Sequence, residues 1–298
     1  MRVLLTGAQG QVGRALTTLS PPGIQLYAST HRELDICDAA AVRAVLERVA
    51  PDWIVNAAAY TAVDRAEAEP ALAHGVNAGG PQQLARAAQA LPQCRLLQLS
   101  TDYVFDGHAR VPYRPEDAPN PMSVYGRSKL QGEQAVVEIL GERALILRTA
   151  WVYAPQGRNF LLTMLRLMRE RGEVRVVADQ LGSPTAAESV ARAVWAALAR
   201  PPGPRILHWT DAGQCSWYEF AERIAREALA AGLLERPARV SAISTAQYPT
   251  AARRPAYSVL ELASTAAALG LAPRPWAEAL RATLQGMGLA SSPDAAGS

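Results

Sequence analysis

The sequence predicts an α/β protein, a doubly wound parallel sheet followed by a smaller, mostly helical C-terminal lobe. Three observations predict it. Short apolar runs alternate with helical patterns through the first half, a rhythm that sets parallel strands between covering helices. A glycine-rich stretch follows the first apolar run at once and leads into a helical pattern. After about residue 150 the alternation loosens and helical patterns dominate.

Taken in order, strands are expected over 2–6, 24–28, 52–56, 95–100, 144–149 and 174–178. Between the first two, Val12, Leu16 and Leu19 fall at i, i+4, i+7, one face of a helix. Val42, Val45, Leu46 and Val49 repeat at i, i+3, i+4, i+7 and do the same. Right-handed crossovers bring the C-terminal ends of such strands to one edge, where ligands bind. Farther on, Arg200-Pro-Pro-Gly-Pro204 breaks the chain. Ser216-Trp-Tyr-Glu219 reads as a capping box ahead of a helix face of Phe220, Ile224 and Leu229. Residues 257–270 read as a helix stopped by Gly270, and the small, polar residues 291–298 as a disordered tail.

Composition excludes several classes. Of 298 residues, 49% are hydrophobic and 19% charged, which is incompatible with disorder as the main state. No run of eighteen apolar residues offers a membrane span, and the N-terminal apolar stretch is too short for a signal peptide core. A net charge of +3 with interspersed signs does not imply nucleic acid. Cys37, Cys94 and Cys215 are far apart and lack CxxC spacing, which points to a reducing, cytoplasmic compartment and away from zinc. Cys37 and Cys94 read as buried small residues. His31, His74, His108 and His208 read as surface or loop residues, and Trp195, Trp217 and Trp276 as core.

Two motifs carry chemistry. The first is Thr6-Gly7-Ala8-Gln9-Gly10-Gln11-Val12-Gly13, directly after the first strand. Gly7 permits a tight turn, Gly10 lets backbone approach a pyrophosphate, and Gly13 lets helix and strand pack closely. The helix N-terminus then offers free N–H groups to the phosphates. This is a Rossmann-type dinucleotide fingerprint. The second strand ends Tyr27-Ala28-Ser29-Thr30-His31-Arg32, with hydroxyls and cations where an NAD enzyme has an acid. NADP(H) is therefore preferred, with Ser29, Thr30 and Arg32 near the 2′-phosphate. Asp35 and Ile36 near the adenine leave NADH usable.

The second is Tyr125-Gly-Arg-Ser-Lys129. Lys129 is the single lysine; every other member of the 30 Lys+Arg residues is arginine. Lysine does what arginine cannot: it is a compact ammonium and it can lose its proton. Spacing of i, i+4 puts Tyr125 and Lys129 on one helix face. A neighbouring ammonium is expected to lower the Tyr125 pKa and make it a proton shuttle. Thr101, at the end of the fourth strand, is placed to polarise a reacting carbonyl.

With these residues the chain resembles the extended short-chain dehydrogenase/reductase superfamily. Ser100–Gly107, Asn56–Asp64, Arg148–Tyr153, Asp179–Thr185 and Arg254–Ser258 are similar to stretches of its dTDP-4-dehydrorhamnose reductase family, in family order from about residue 3 to residue 285. The resemblance implies NADPH-dependent reduction of the 4-keto group of dTDP-4-dehydro-L-rhamnose, for cell-surface polysaccharide. It implies that Gly10, Gln11 and Val12 wrap the pyrophosphate, and that Ala59, Tyr60 and Thr61 line the nicotinamide side. It makes Thr101, Tyr125 and Lys129 the catalytic set, with Asp102, Trp151 and Arg254 facing the sugar nucleotide. Residues 1–150 would form the NADP(H)-binding domain, with later segments returning to it, and 151–290 mainly the substrate lobe. Some members carry glutamates linked to a magnesium-dependent dimer. The early one falls at Ala15 here, while Glu188 matches a later one. That departure counts against Mg2+, no metal ligand is assigned, and a homodimer stays an open alternative. Rival readings are another nucleotide-sugar dehydrogenase or epimerase, and a non-catalytic regulatory subunit of the methionine adenosyltransferase beta type. Tyr103 in place of a glutamate argues against a 4,6-dehydratase.

Overall fold

The computed structural model describes residues 1–200, 203 and 205–291. Pro201, Pro202 and Pro204 of the expected break, and the expected tail beyond Ser291, lie outside the described residues.

The main sheet contains β1 (Arg2–Thr6), β2 (Gln25–Ser29), β3 (Trp53–Asn56), β4 (Arg95–Thr101) and β5 (Ala144–Thr149). The inner strands β3 and β5 are buried along their whole length, as a sheet covered on both sides requires, while the edge strand β2 is partly exposed. β6 (Glu173–Val177), expected among them, lies elsewhere; the sixth strand is β7 (Ile206–His208). The order is β7-β5-β4-β3-β1-β2, and every pairing is parallel. The order reverses at β1 and β3, which opens a crevice at their C-terminal ends.

Helices α1 (Gln11–Thr18) and α8 (Ala187–Leu198) cover one face of the sheet; α2 (Ala39–Val49), α5 (Gly80–Gln89) and α6 (Val124–Leu140) cover the other. Local chemistry fixes their starts. Asp38 caps α2 by accepting from the N–H groups of Ala40 and Ala41, and Ser123 caps α6 through Gly126. Such a cap is worth about 1 kcal/mol. The predicted faces are buried: Leu16 in α1, and Val42, Val45, Leu46 and Val49 in α2. Two short helices, α3 (Val63–Ala68) and α4 (Pro70–His74), lead into α5.

The second region is not purely helical. β6 pairs in parallel with β8 (Arg239–Ile243), a strand the sequence did not announce. Helices α7 (Phe160–Arg171), α9 (Trp217–Ala230) and α11 (Trp276–Ser291) pack with β6 around a separate core containing Leu161, Leu165, Phe220, Ile224, Leu280 and Leu284. The Ser216 capping box is formed. Leu229 is exposed, because the buried face of α9 advances from Ile224 to Ala228. The stretch expected as a helix from 257 becomes helical only at α10 (Ala263–Leu269). Tyr257 and Leu260 form parallel bridges to Leu181 and Tyr113 instead. Gly270 does stop α10, in the left-handed region at φ 56°.

Two further expectations are corrected. Cys37 is exposed, while Cys94 and Cys215 are buried. His208 is fully buried in β7, where its Nδ1 lies 3.0 Å from the Tyr113 carbonyl. No described helix is long and apolar enough to cross a membrane.

Candidate active site

At the end of β1 the chain turns at Gly7, whose φ is 71°. A Cβ on Gly7 would lie 2.5 Å from the Ala58 nitrogen, and one on Gly13 would lie 2.2 Å from the Gly7 carbonyl oxygen. Both contacts are with backbone, so only glycine allows the first turn of α1 to approach β1 and the loop after β3. The Gly10 N–H donates to Gly7 O at 2.9 Å, and Gly10 begins α1 with no side-chain cap. The first N–H groups of α1 are thereby left for an incoming anion. A cradle that a Cβ would fill, at a helix N-terminus, fits a dinucleotide pyrophosphate.

Gly10, Gln11 and Val12 form one end of a cleft of about 1450 Å³, and Ala59 and Thr61 line it after β3. Gly7 and Gly13 shape the turn from beneath. Tyr60 does not line the cleft: its N–H donates to Asn77 Oδ1 at 2.9 Å, and its phenol donates to Glu69. Ser29, Arg32, Asp35 and Ile36 also lie outside the cleft lining. Ser29 ends β2 and its carbonyl accepts from Ala8 N; Arg32 is exposed; Asp35 accepts from Cys37 N; Ile36 is buried against Gly80.

Thr101, Tyr125 and Lys129 line the same cleft, with the Tyr125 phenol in contact with the Thr101 hydroxyl. β4 delivers Thr101, and α6 delivers the other two from successive turns. Lys129 is 4% exposed, and its Nζ donates to Leu99 O at 2.6 Å. Burial lowers its pKa to about 8, against the opposing pull of Glu133. Tyr125 departs from expectation. Burial pushes its phenol up to about 12, although contact with the Thr101 hydroxyl pulls the other way. Loss of hydration of the phenolate, reinforced by the nearby Asp102 carboxyl, outweighs the Thr101 hydrogen bond, so Tyr125 is held as a protonated acid. The Thr101 hydroxyl donates to Asp102 Oδ1 at 3.1 Å and accepts from Tyr103 N at 3.2 Å.

A buried polar chain lies beneath. Thr6 Oγ1 donates to Asn56 Oδ1 (2.6 Å), Asn56 Nδ2 to Gln98 Oε1 (2.7 Å), and Gln98 Nε2 to Leu99 O (2.7 Å). It links β1, β3 and β4 to the carbonyl that holds Lys129, and every donor finds an acceptor, as burial demands.

Asp102, Trp151 and Arg254 complete the far side. Asp102 is 1% exposed, and burial raises its pKa to about 6. Trp151 has a φ of 47°, costly for a residue with a side chain. Its indole leaves no room for a Cβ on Gly182. Arg254 is already engaged, bidentate on Asp64 at 3.1 and 2.7 Å. Burial raises the Asp64 pKa, but Arg254 and the Ala252 N–H outweigh it and hold the carboxyl below its ordinary range.

Three contributors lay outside the expected site. Trp217, expected as core, lines the cleft and stacks on Trp151 with ring centroids 3.4 Å apart and planes 7° from parallel. Its place just after the capping serine was visible; its partner, in a different segment, was not. Tyr103 meets Tyr125 edge to face at 5.6 Å. Asn159 caps α7 through Leu162 N and also donates to Gln11 Oε1 at 2.7 Å, joining the second region to the glycine turn. Among the described residues, no cluster of three His, Cys, Asp or Glu side chains is placed to hold a metal ion.

Residues 1–288 match the family model described as the RmlD substrate binding domain. The dTDP-4-dehydrorhamnose reductase of Aggregatibacter actinomycetemcomitans is 41% identical over 287 residues, covering 94% of this chain and 97% of that protein. A crystal structure of a dTDP-4-dehydrorhamnose reductase from Clostridium acetobutylicum superposes with a TM-score of 0.89 at 37% identity, covering 95% of this chain and 98% of that one. That of the Bacillus anthracis dTDP-4-dehydrorhamnose reductase, in complex with NADP, gives 0.88 at 37% identity, with the same coverage of each chain. The cradle, the tyrosine–lysine pair and these full-length matches agree, and the chain belongs to the dTDP-4-dehydrorhamnose reductase family.

Proposed function

We propose that this protein reduces the 4-keto group of dTDP-4-dehydro-L-rhamnose to give dTDP-L-rhamnose, using NADPH, in the cytoplasmic supply of sugar for polysaccharide. The observation that carries this is the meeting of Thr101, Tyr125 and Lys129 in one cleft with the glycine cradle. Residues 1–150 serve the dinucleotide and 151–290 mainly the sugar nucleotide. Gly10, Gln11 and Val12 hold the pyrophosphate. Ser29 and Arg32 favour the 2′-phosphate, and Asp35 with Ile36 serves the adenine end.

NADPH, when bound, supplies the hydride to the sugar carbonyl carbon. Tyr125 supplies the proton to the carbonyl oxygen. A phenol held near pKa 12 stays protonated at neutral pH and is poised for the reductive direction. Lys129, with a pKa of about 8, is mostly charged at pH 7 and orients the nicotinamide ribose. Thr101 donates to Asp102 in this structure, so stabilising a developing alkoxide requires its hydroxyl to turn from Asp102 to the substrate. Asp102 and Trp151 face the sugar. Arg254, braced by Asp64, presents its remaining N–H groups to the diphosphate.

The test is NADPH absorbance with freshly made dTDP-4-dehydro-L-rhamnose, wild type beside Tyr125→Phe. Turnover by the wild type and a fall of about 10²–10⁴-fold in kcat for the variant are expected. NADPH binding without turnover would overturn this reading in favour of another sugar nucleotide or a regulatory subunit.

A further inference from the structure

Behind the cleft, three buried charges alternate in sign. Lys129, Glu133 and Arg148 are 4%, 3% and 2% exposed. Lys129 and Glu133 lie one turn apart on the same face of α6. Arg148 of β5 grips Glu133 through Nε to Oε1 at 3.0 Å and Nη2 to Oε2 at 2.7 Å. His208 of β7 backs the arginine. A carbonyl only accepts, so the His208 nitrogen beside Tyr113 O, Nδ1, carries the hydrogen, and the bare Nε2 faces Arg148 Nη1 at 3.4 Å. Burial and Arg148 lower the His208 pKa to about 3, so it stays neutral. The cluster therefore holds two cations and one anion. Of its members, Lys129 alone lines the cleft.

We propose that Glu133 and Arg148 are positioning residues that share one buried carboxylate between two cations, keeping Lys129 charged while leaving its ammonium free to face the cleft. This rests on the reading of Lys129 as part of the reductase site. Without Arg148, Glu133 has only Lys129 to pair with, and the ammonium is drawn from Leu99 O onto its own helix. Without Glu133, two cations remain in a dry region with no counter-ion.

The surrounding charges do not substitute for Glu133. Tyr125 stands one turn before Lys129, and Asp102 and Tyr103 come from the turn after β4. Burial raises both phenols away from their charged forms. Asp102, raised to about 6, is ionised where Lys129 titrates, but it accepts from the Thr101 hydroxyl, and Glu133 is the anion that acts on Lys129. Elsewhere against α6, Glu67 accepts from Val124 N, Asp64 holds Arg254, and His74 meets Gln131. Arg65 pairs with Glu69, and Arg86 is exposed. Arg95 lies over Trp53, and Arg143 binds carbonyls after α5 and carries the chain toward β5 with Glu142.

Because Lys129 is the single lysine, protein grown on [13Cε]lysine gives one side-chain signal, and its titration reads this amine without substrate. The expected result is opposite movement. The midpoint of Glu133→Gln falls by about one pH unit or more, and that of Arg148→Met rises by a similar amount. The alkaline limb of kcat moves the same two ways, which a merely structural role would not produce. If a single variant fails to fold, the double variant E133Q/R148M replaces the pair with uncharged groups, a change cores often tolerate, and its midpoint falls. An unmoved midpoint in the double variant, or movement of both singles in one direction, overturns the proposal. Failure of the wild type to reduce the sugar nucleotide would leave the titration result standing, so the two failures are distinguishable.

Discussion

The cleft has two walls, and they are made of different material. The wall around Gly7–Gly13 is backbone: three glycines, a turn and the start of α1, within seven consecutive residues. The opposite wall is side chain: Trp151 on Trp217, and Arg254 on Asp64, partners 66 and 190 residues apart. Backbone tolerates no substitution that adds volume, because its position is fixed by the sheet. Side chains stacked across segments yield more readily, and they can be exchanged to change what is bound. The wall expected to hold a common cofactor is the rigid one, and the wall expected to choose the sugar nucleotide is the adjustable one.

Three experiments test this contrast. The largest effect is expected for Gly13→Ala. Its Cβ would meet the Gly7 carbonyl at 2.2 Å. Overpacking of ~1–3 kcal/mol translates to about 5–150-fold weaker NADPH binding by fluorescence titration. Equal weakening of the dTDP-sugar would show that the walls are not separable. Next is Trp217→Ala, which removes the stack on Trp151. KM for the sugar nucleotide should rise several-fold, in line with a stacked pair worth about 0.5–1.5 kcal/mol, while NADPH affinity holds. A change confined to kcat would contradict this.

The smallest effect belongs to the seam between the walls. Burial raises Asp102 to a pKa of about 6, well above an unfolded aspartate. A carboxyl raised on folding adds stability below its unfolded pKa, and that contribution is lost as pH rises through about 6. Asp102→Asn removes this loss, so its melting temperature at pH 7 should exceed wild type by roughly 2–4 °C, with a flatter profile between pH 4 and 6. A lower melting temperature at pH 7 would show that the ionised carboxylate is stabilising.

The same contrast explains what the sequence made legible. The glycine turn and the Tyr125–Lys129 pair are local patterns, and each reports its own geometry through spacing. Five of the six sheet strands are apolar runs with clear ends. β7 is three residues long and sits beyond a proline-rich break, so its pairing with β5 and the burial of His208 were hidden. β8 alternates weakly, and its partner strand β6 lies about sixty residues earlier. Arg254 was recognisable as a cation for a phosphate, but nothing near it in the chain announced Asp64. The direction of the Tyr125 pKa depends on depth of burial, a property of the folded chain that spacing alone does not report.

The bond from Asn159 to Gln11 has a consequence in thermodynamic linkage. One amide both begins α7 and touches the residue that follows Gly10. A dinucleotide that shifts Gln11 must carry Asn159 with it or forfeit the bond, and a sugar that shifts α7 faces the same choice in reverse. Coupling of this kind is reciprocal. Whatever factor the sugar nucleotide contributes to dinucleotide affinity, the dinucleotide returns to the sugar, and removing the Asn159 amide would bring both factors closer to one.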